Sequence, residues 1–363
     1  MTQTLALLHA AYRELNARKL FWVTMALSLL IVAVFAALGI NENGITILWW
    51  EFDLEFVNTR FFPREVFYKV LFTTFGIGFW LTWLASILAL ISTSSIVPDM
   101  VSGGSIDILL SKPIGRTRLF LTRYFTGLIF VTVQVSVFTV ASFLLIGIRG
   151  GAWEPWFLIA IPLVVVFFSY LYGVCALVGL LTRSTIVSLL VTMLFWLFIF
   201  GVHSGEEITQ SGSIAYELDL KQVQADLAEA VEYGDPIEVT EPLQEVVDSV
   251  QASYDTWAMT HAWFYGAKCI LPKTSETIGV LDRTLRKNAG LEVGLPEETE
   301  GRRRGPRSGN MFGTTSRVPQ REIDRIQSER KDSRSLTWII GTSLLFEAVL
   351  LGICCWLFSR RDF

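Results

Sequence analysis

The stretch from residue 156 to residue 181, WFLIAIPLVVVFFSYLYGVCALVGLL, decides the fold class because it contains no charged residue. A helix that crosses the hydrocarbon core of a bilayer needs about 20 mostly apolar residues. Five further runs of this kind occur along the chain: Leu20–Ile40, Val70–Ile91, Tyr124–Ile148, Thr185–His203 and Leu336–Phe358. The sequence therefore predicts an all-α membrane protein with six transmembrane helices.

The composition of the whole chain agrees with this class. Of the 363 residues, 52% are hydrophobic and 18% are charged, whereas a soluble protein carries roughly 25% charged residues. The net charge of −4 shows no basic excess, so nucleic-acid binding is excluded as the main activity. Four scattered cysteines also exclude a disulfide-rich secreted fold.

The distribution of Lys and Arg predicts the orientation in the membrane, because these residues collect in short cytoplasmic loops. If both termini are cytoplasmic, the inner segments hold Arg13, Arg18, Lys19, Lys112, Arg116, Arg118, Arg123, Arg183, Arg360 and Arg361. The short outer loops then hold only Arg60, Arg64, Lys69 and Arg149. We expect a multi-pass protein of the plasma membrane with both termini in the cytoplasm.

A polar segment separates spans five and six and divides the chain into three regions. Residues 1–203 carry an N-terminal interfacial helix and five spans, residues 204–335 form an extracytoplasmic insertion, and residues 336–363 form the last span and a cytoplasmic tail. Apolar residues recur at helical spacing in the first part of the insertion, and Thr274 or Ser275 could cap a third helix there. Residues 290–320 are rich in Gly, Arg, Ser, Pro and Glu without periodicity, which predicts disorder.

Signatures of soluble enzymes are missing from the sequence. It contains no GxxxxGK[ST], HExxH, CxxC or GxSxG pattern, so we expect no catalytic, cofactor or metal residue and no ATP-binding loop in this chain. The three histidines are too far apart in sequence to indicate a metal site. Cys354 and Cys355 could bind a soft metal, but a role as small apolar residues of the last span explains them more simply.

The loop between spans two and three, residues 92–124, reads STSSIVPDMVSGGSIDILLSKPIGRTRLFLTRY. Pro98 and Gly104 interrupt the helix, and Ser105 can cap a short helix that carries Leu109 and Leu110. A helix of about two turns is not stable alone in water. Its apolar face therefore needs a cover, either from the rest of the cytoplasmic side or from another protein.

This loop resembles that of the type-2 permease subunits of ABC transporters. The matching residues are Asp99, Gly104, Ile106, Asp107, Leu109, Leu110, Ser111, Lys112, Pro113, Arg116 and Leu119. The start of span one, AYRELNARKLFWV, and the hairpin Gly179–Ser184 are also similar to this family. Asp99 stands where Glu is commoner in the family, and the insertion before span six is longer than in its compact members.

The resemblance implies that the loop is a coupling helix which docks on a separate ATPase subunit. It also implies a second permease protomer, identical or different, and export of a substrate that the sequence does not identify. The nearest subgroup looks like the permeases linked to copper-enzyme maturation. The remaining partner is the lipid bilayer itself.

Two alternatives of other classes remain open. One is a membrane-anchored scaffold whose residues 204–335 bind a partner without transport. The other is an intramembrane enzyme that uses Glu347 or His203, since an ionisable residue within a span marks a functional hypothesis. Glu347 could equally have a structural role, for instance through a hydrogen bond to Gln134 if the two helices meet.

Overall fold

The computed structural model describes residues 13, 19–53, 59, 63–101, 115–234, 236–288 and 319–360. Within these ranges, six helical stretches are long and apolar enough to cross a membrane. They are Lys19–Ala37, Arg64–Val101, Arg116–Gly150, Pro155–Thr182, Thr185–Glu232 and Leu336–Arg360. The predicted all-α membrane class with six spans is therefore confirmed.

The helices are labelled in chain order. They are α1 (Lys19–Ala37), α2 (Arg64–Leu71), π1 (Phe72–Ala85), α3 (Ser86–Thr93), α4 (Ile96–Val101), α5 (Arg116–Leu145), π2 (Ile146–Gly150), a 3₁₀ turn (Pro155–Ile159), α6 (Ala160–Thr182), α7 (Thr185–Glu232), α8 (Ile237–Ile270), α9 (Thr274–Asn288), α10 (Gln320–Asp332) and α11 (Leu336–Arg360). Span two thus runs through α2, π1 and α3, and its middle is a π-helix. There the Thr82 and Ser86 hydroxyls donate to carbonyls five residues earlier, at 2.8 Å each.

The described chain divides into two compact units. The first draws on residues 1–196, 274–293 and 343–363, and the second on residues 197–273 and 294–342. In the first unit α5 packs against α1, α4 and α6. Buried aromatic side chains such as Phe120, Phe138 and Phe168 fill its interior. Phe138 lies against Phe72, and Phe168 stacks on Tyr172.

The second unit contains the polar part of α7 together with α8 and α10. Leu220, Val223 and Val247 form one apolar cluster, while Ile214 and Ala215 pack against Ile323 in another. The helix of span five does not end at His203 but continues to Glu232, and no proline interrupts it over this length. The helix predicted from Thr274 or Ser275 is present as α9, yet it packs against α6 in the first unit.

A three-stranded antiparallel sheet follows α1, and the sequence analysis did not predict it. Its strands are β1 (Leu38–Ile40), β2 (Gly44–Ile47) and β3 (Trp50–Asp53), in the order β1-β2-β3. The register places Leu38 opposite Ile47 and Ile47 opposite Trp50. Side chains alternate between the two faces of a sheet. One face therefore carries the apolar residues, and the other carries Gly39, Thr46, Glu51 and Asp53.

Candidate functional site

The predicted coupling loop is only partly described. Gly104, Ile106, Asp107, Leu109, Leu110, Ser111, Lys112 and Pro113 lie outside the described residues, so their predicted helix stays a prediction. The structure does place the two residues of this set that flank them, Asp99 and Arg116. Both lie at the end of the first unit where α4 and α5 meet.

The short helix α4 holds the start of the loop against the bundle. Its residues Ile96, Val97, Pro98, Met100 and Val101 are buried. Pro98 lies so close to α6 that a Cβ added to Gly179 would come within 3.0 Å of the proline ring. Asp99 is the exposed residue of this helix. Burial of its neighbours thus fixes the backbone and leaves the acidic side chain at the surface.

Arg116 connects the end of the loop to the last span. It is the first residue of α5, and its Nη1 donates to the backbone carbonyl of Ser359, near the end of α11, at 3.3 Å. The same end of the unit carries further arginines on α5, directly after α6 and on α11. They are Arg118, Arg123, Arg183 and Arg360. The positive charge predicted for the cytoplasmic side is therefore concentrated beside the loop.

Glu347 forms a buried polar cluster within the first unit. The hydroxyl of Tyr124 donates to Oε1 at 2.8 Å, and the hydroxyl of Ser169 donates to Oε2 at 2.7 Å. Both oxygens of the carboxyl group thus have hydroxyl partners on α5 and α6. The cluster connects spans three, four and six through hydrogen bonds that a lipid environment cannot supply.

Gln134 lies elsewhere and does not contact Glu347. Its amide nitrogen and oxygen have no hydrogen-bond partner among the described residues, and the side chain is 3% exposed. It lines a cavity of about 10 Å³ together with Ser28 and Ser86. That volume is close to the minimum for one water molecule. The two intramembrane polar residues therefore belong to separate sites.

An ion cluster in the second unit was missed by the sequence analysis. Glu206 is fully buried, and its carboxylate accepts hydrogen bonds from Lys268 Nζ at 2.6 Å and Arg334 Nη2 at 2.9 Å. His261 Nε2 lies 3.7 Å from the same carboxylate. One available signal was Lys268, which stands in the otherwise uncharged stretch WFYGAKCIL.

These cations determine the charge state of Glu206, which lies beyond the apolar run 185–203. Burial by itself would raise the pKa of its carboxyl group. The nearby imidazole of His261 and the hydrogen bonds from Lys268 and Arg334 outweigh burial and hold the pKa well below its usual value. The cluster therefore keeps a carboxylate ionised inside the unit, with two cations hydrogen-bonded to it.

The chemistry that these sites offer is recognition and structural pairing. Within the described ranges, no group of three His, Cys, Asp or Glu residues is placed to hold a metal ion. The Nδ1 atom of His203 lies 2.9 Å from the carbonyl of Ile199 in its own helix.

In comparisons with known proteins, no family model, no curated protein and no solved structure matches this chain.

Proposed function

We propose that this chain is the membrane-spanning permease subunit of an ABC-type export system. A separate ATPase subunit would hydrolyse ATP, and a second permease protomer, identical or different, would complete the pathway for an unidentified substrate. The observation that carries the proposal is the loop motif, whose start is held by the buried helix α4 with Asp99 at the surface.

The loop offers an apolar contact that needs a partner. Ile106, Leu109 and Leu110 recur at helical spacing between two sites that are fixed on the bundle, α4 and Arg116. Burial of one leucine side chain contributes about 1.5–3 kcal/mol. An ATPase surface that covers these residues would gain this free energy. Acidic residues on that surface could also pair with the arginines beside the loop.

The attachment of the loop gives a route for mechanical coupling. Its start continues from span two through α3 and α4, and its end is span three. Arg116 adds span six through its hydrogen bond to Ser359. A displacement of the loop by ATP-driven closure of the ATPase subunits would therefore act on three spans. This proposal places the loop and both termini in the cytoplasm and the protein in the plasma membrane.

A double substitution in the loop tests the proposal. Leu109→Ala with Leu110→Ala should weaken co-purification of the ATPase or transport-linked ATP hydrolysis by at least about tenfold, because truncated interface anchors cost about 2 kcal/mol or more. The matched control is Leu29→Ala with Leu30→Ala in α1. Leu29 and Leu30 are exposed leucines that lie in a span which does not bear the loop.

Normal ATPase binding and hydrolysis in the Leu109/Leu110 variant would overturn the permease proposal. The scaffold alternative would then stand, because residues 197–273 and 294–342 form a compact unit with apolar clusters of its own. In that case a deletion within this unit should abolish partner capture, whereas the loop variant should not.

A further inference from the structure

The β2–β3 turn exposes a group of large apolar side chains. Leu48 and Trp49 form the two-residue turn, and Trp49 is 89% exposed. Trp50 follows at 75% exposed, and Phe52 is half exposed. A contiguous group of exposed apolar side chains indicates an interaction surface rather than an ordinary water-exposed surface. We call Leu48, Trp49, Trp50 and Phe52 the aromatic tip.

The register of the sheet sets the depth of this tip. The Leu48 backbone N–H donates to the carbonyl of Ala37, the last residue of α1, at 2.9 Å. Chain direction explains this contact, because β1 leaves the end of α1, β2 returns to it, and the turn follows. The aromatic tip therefore lies at the level where the apolar helix of span one ends.

Contacts from spans two and three hold the sheet at this level. The hydroxyl of Tyr68 in α2 donates to the carbonyl of Leu38 at 2.7 Å. Arg149, at the end of span three, donates to the same carbonyl at 3.2 Å. Leu38 is the first residue of β1 and stands opposite Ile47. The tip is thus fixed relative to three spans.

The apolar face of the sheet becomes more exposed with distance from β1. Ile40 is buried in β1, its neighbour Ile45 in β2 is half-buried, and Phe52 in β3 is half exposed. In the next row of cross-strand neighbours on the same face, the exposed fraction rises from Ile47 in β2 to Trp50 in β3. Protein thus covers the apolar face at β1 but leaves it uncovered at β3.

The backbone conformation of Leu48 is unusual for a leucine in the β2–β3 turn. Its φ angle is +57°, in the left-handed region that glycine and asparagine usually occupy in such turns. A leucine there is strained, and strain of this kind persists where the surroundings or the function require it. A glycine would relieve the strain and would lose an apolar side chain at the tip.

We propose that the aromatic tip inserts into the interfacial region of the lipid leaflet at which span one ends. Tryptophan concentrates at this depth of a bilayer, because its ring is apolar and its N–H is polar. The acidic residues Glu51 and Asp53 lie on the opposite face of the sheet. Glu51 accepts a hydrogen bond from Asn41, and it does not have to enter the lipid with Trp50 and Phe52.

Two single-cysteine variants of the full-length chain test this proposal. The four native cysteines are replaced by Ala or Ser, and a nitroxide is attached either to Trp49→Cys or to Asn43→Cys. Asn43 is exposed in the turn at the other end of the same sheet and is the matched control. The protein is reconstituted into nanodiscs of phosphatidylcholine. Collisions of the nitroxide with oxygen, which enriches in lipid, and with a water-soluble nickel chelate are then measured.

The expected ratio of oxygen to nickel collisions is higher at residue 49 than at residue 43 by about threefold or more, as insertion at the interface requires. Equal, water-like ratios at both sites would overturn the proposal. Exclusion of both reagents from residue 49 would also overturn it, because the tip would then be covered by protein, such as a second copy of the chain.

A second measurement uses the unmodified chain. In the same nanodiscs, hydroxyl-radical oxidation of Trp49 should be lower than that of Tyr233, although tryptophan is intrinsically the more reactive residue. Tyr233 is a suitable reference because it is 78% exposed in the turn after α7. Stronger oxidation of Trp49 than of Tyr233 would contradict insertion, whether or not the cysteine variants fold.

Discussion

At the scale of single residues, two of the buried glutamates, Glu347 and Glu206, have different kinds of partner. Glu347 has two hydroxyl donors, Tyr124 and Ser169, whereas Glu206 has two cationic donors, Lys268 and Arg334. A buried carboxyl group without hydrogen bonds would be costly in either place. Both arrangements stabilise contacts between helices that are distant in sequence.

Loss of the Glu206 carboxylate should destabilise the protein strongly. Glu206→Gln leaves the buried Lys268 and the partly buried Arg334 without their anionic partner. Removal of one member of a buried ion pair costs about 3–5 kcal/mol. We expect a clear decrease in the melting temperature of the purified protein, measured by thermal unfolding in detergent.

Glu217→Gln is the matched control, because Glu217 pairs with Lys221 at 2.8 Å and Arg330 at 3.0 Å on a more exposed surface. Such pairs contribute about 0–1 kcal/mol. Similar melting temperatures for the two variants would contradict a buried ion cluster.

Because the pKa of Glu206 is held below its ordinary value of 4.5, its stabilising contribution is present above that pH and is lost as the pH falls further.

At the scale of elements, the close packing of α5 and α6 depends on a small residue. A Cβ added to Gly127 of α5 would lie 2.6 Å from the hydroxyl oxygen of Tyr172 on α6. Tyr172 in turn stacks on Tyr124 with ring centroids 4.9 Å apart, and Tyr124 binds Glu347. The glycine therefore permits the arrangement that completes the Glu347 cluster.

Gly127→Ala should lower the stability of the first unit, because the buried Tyr172 ring must move and overpacking costs about 1–3 kcal/mol. Gly352→Ala in α11 is the control, since a Cβ there meets no atom within 4 Å. That change should be neutral or stabilising by about 0.5–1 kcal/mol, because alanine favours the helix. The measurement is thermal unfolding of both variants in the same detergent. A lower melting temperature for Gly352→Ala than for Gly127→Ala would refute the packing argument.

At the scale of the whole molecule, the expected orientation in the membrane rests on charge and on the number of spans. Six spans would place both termini on one side, together with the arginines of the loop between spans two and three. We therefore predict that the polar segment after span five faces outward. Cys269 lies in α8 within that segment and is exposed.

A membrane-impermeant maleimide added to intact cells should label Cys269, after the outer barrier is permeabilised if the cell has one. Cys269→Ser should abolish the signal, because Cys175 and Cys354 are buried and Cys355 lies within span six. Labelling that occurs only after the inner membrane is broken would reverse the orientation. It would also place the coupling loop outside the cell, which is incompatible with an ATP-driven partner.

The sequence by itself determined the class of this protein and the number of its spans. The length and hydropathy of a run such as residues 156–181 are local properties, and the bilayer imposes a fixed helix length on them. The same locality made α9 predictable, because Thr274 begins it and Asn288 ends it. The coupling residues Leu109 and Leu110 also come from the sequence and remain a prediction.

Only the tertiary structure decided which polar residues meet. Arg334 and Glu206 are 128 residues apart in sequence, and Tyr124 and Glu347 are 223 residues apart. Helical periodicity indicates which face of a helix is buried but not which other helix covers it. The aromatic tip was missed for a related reason, because short strands in a largely helical membrane chain depend on their pairing partners. Here β1 follows directly after the helix of span one and pairs with β2.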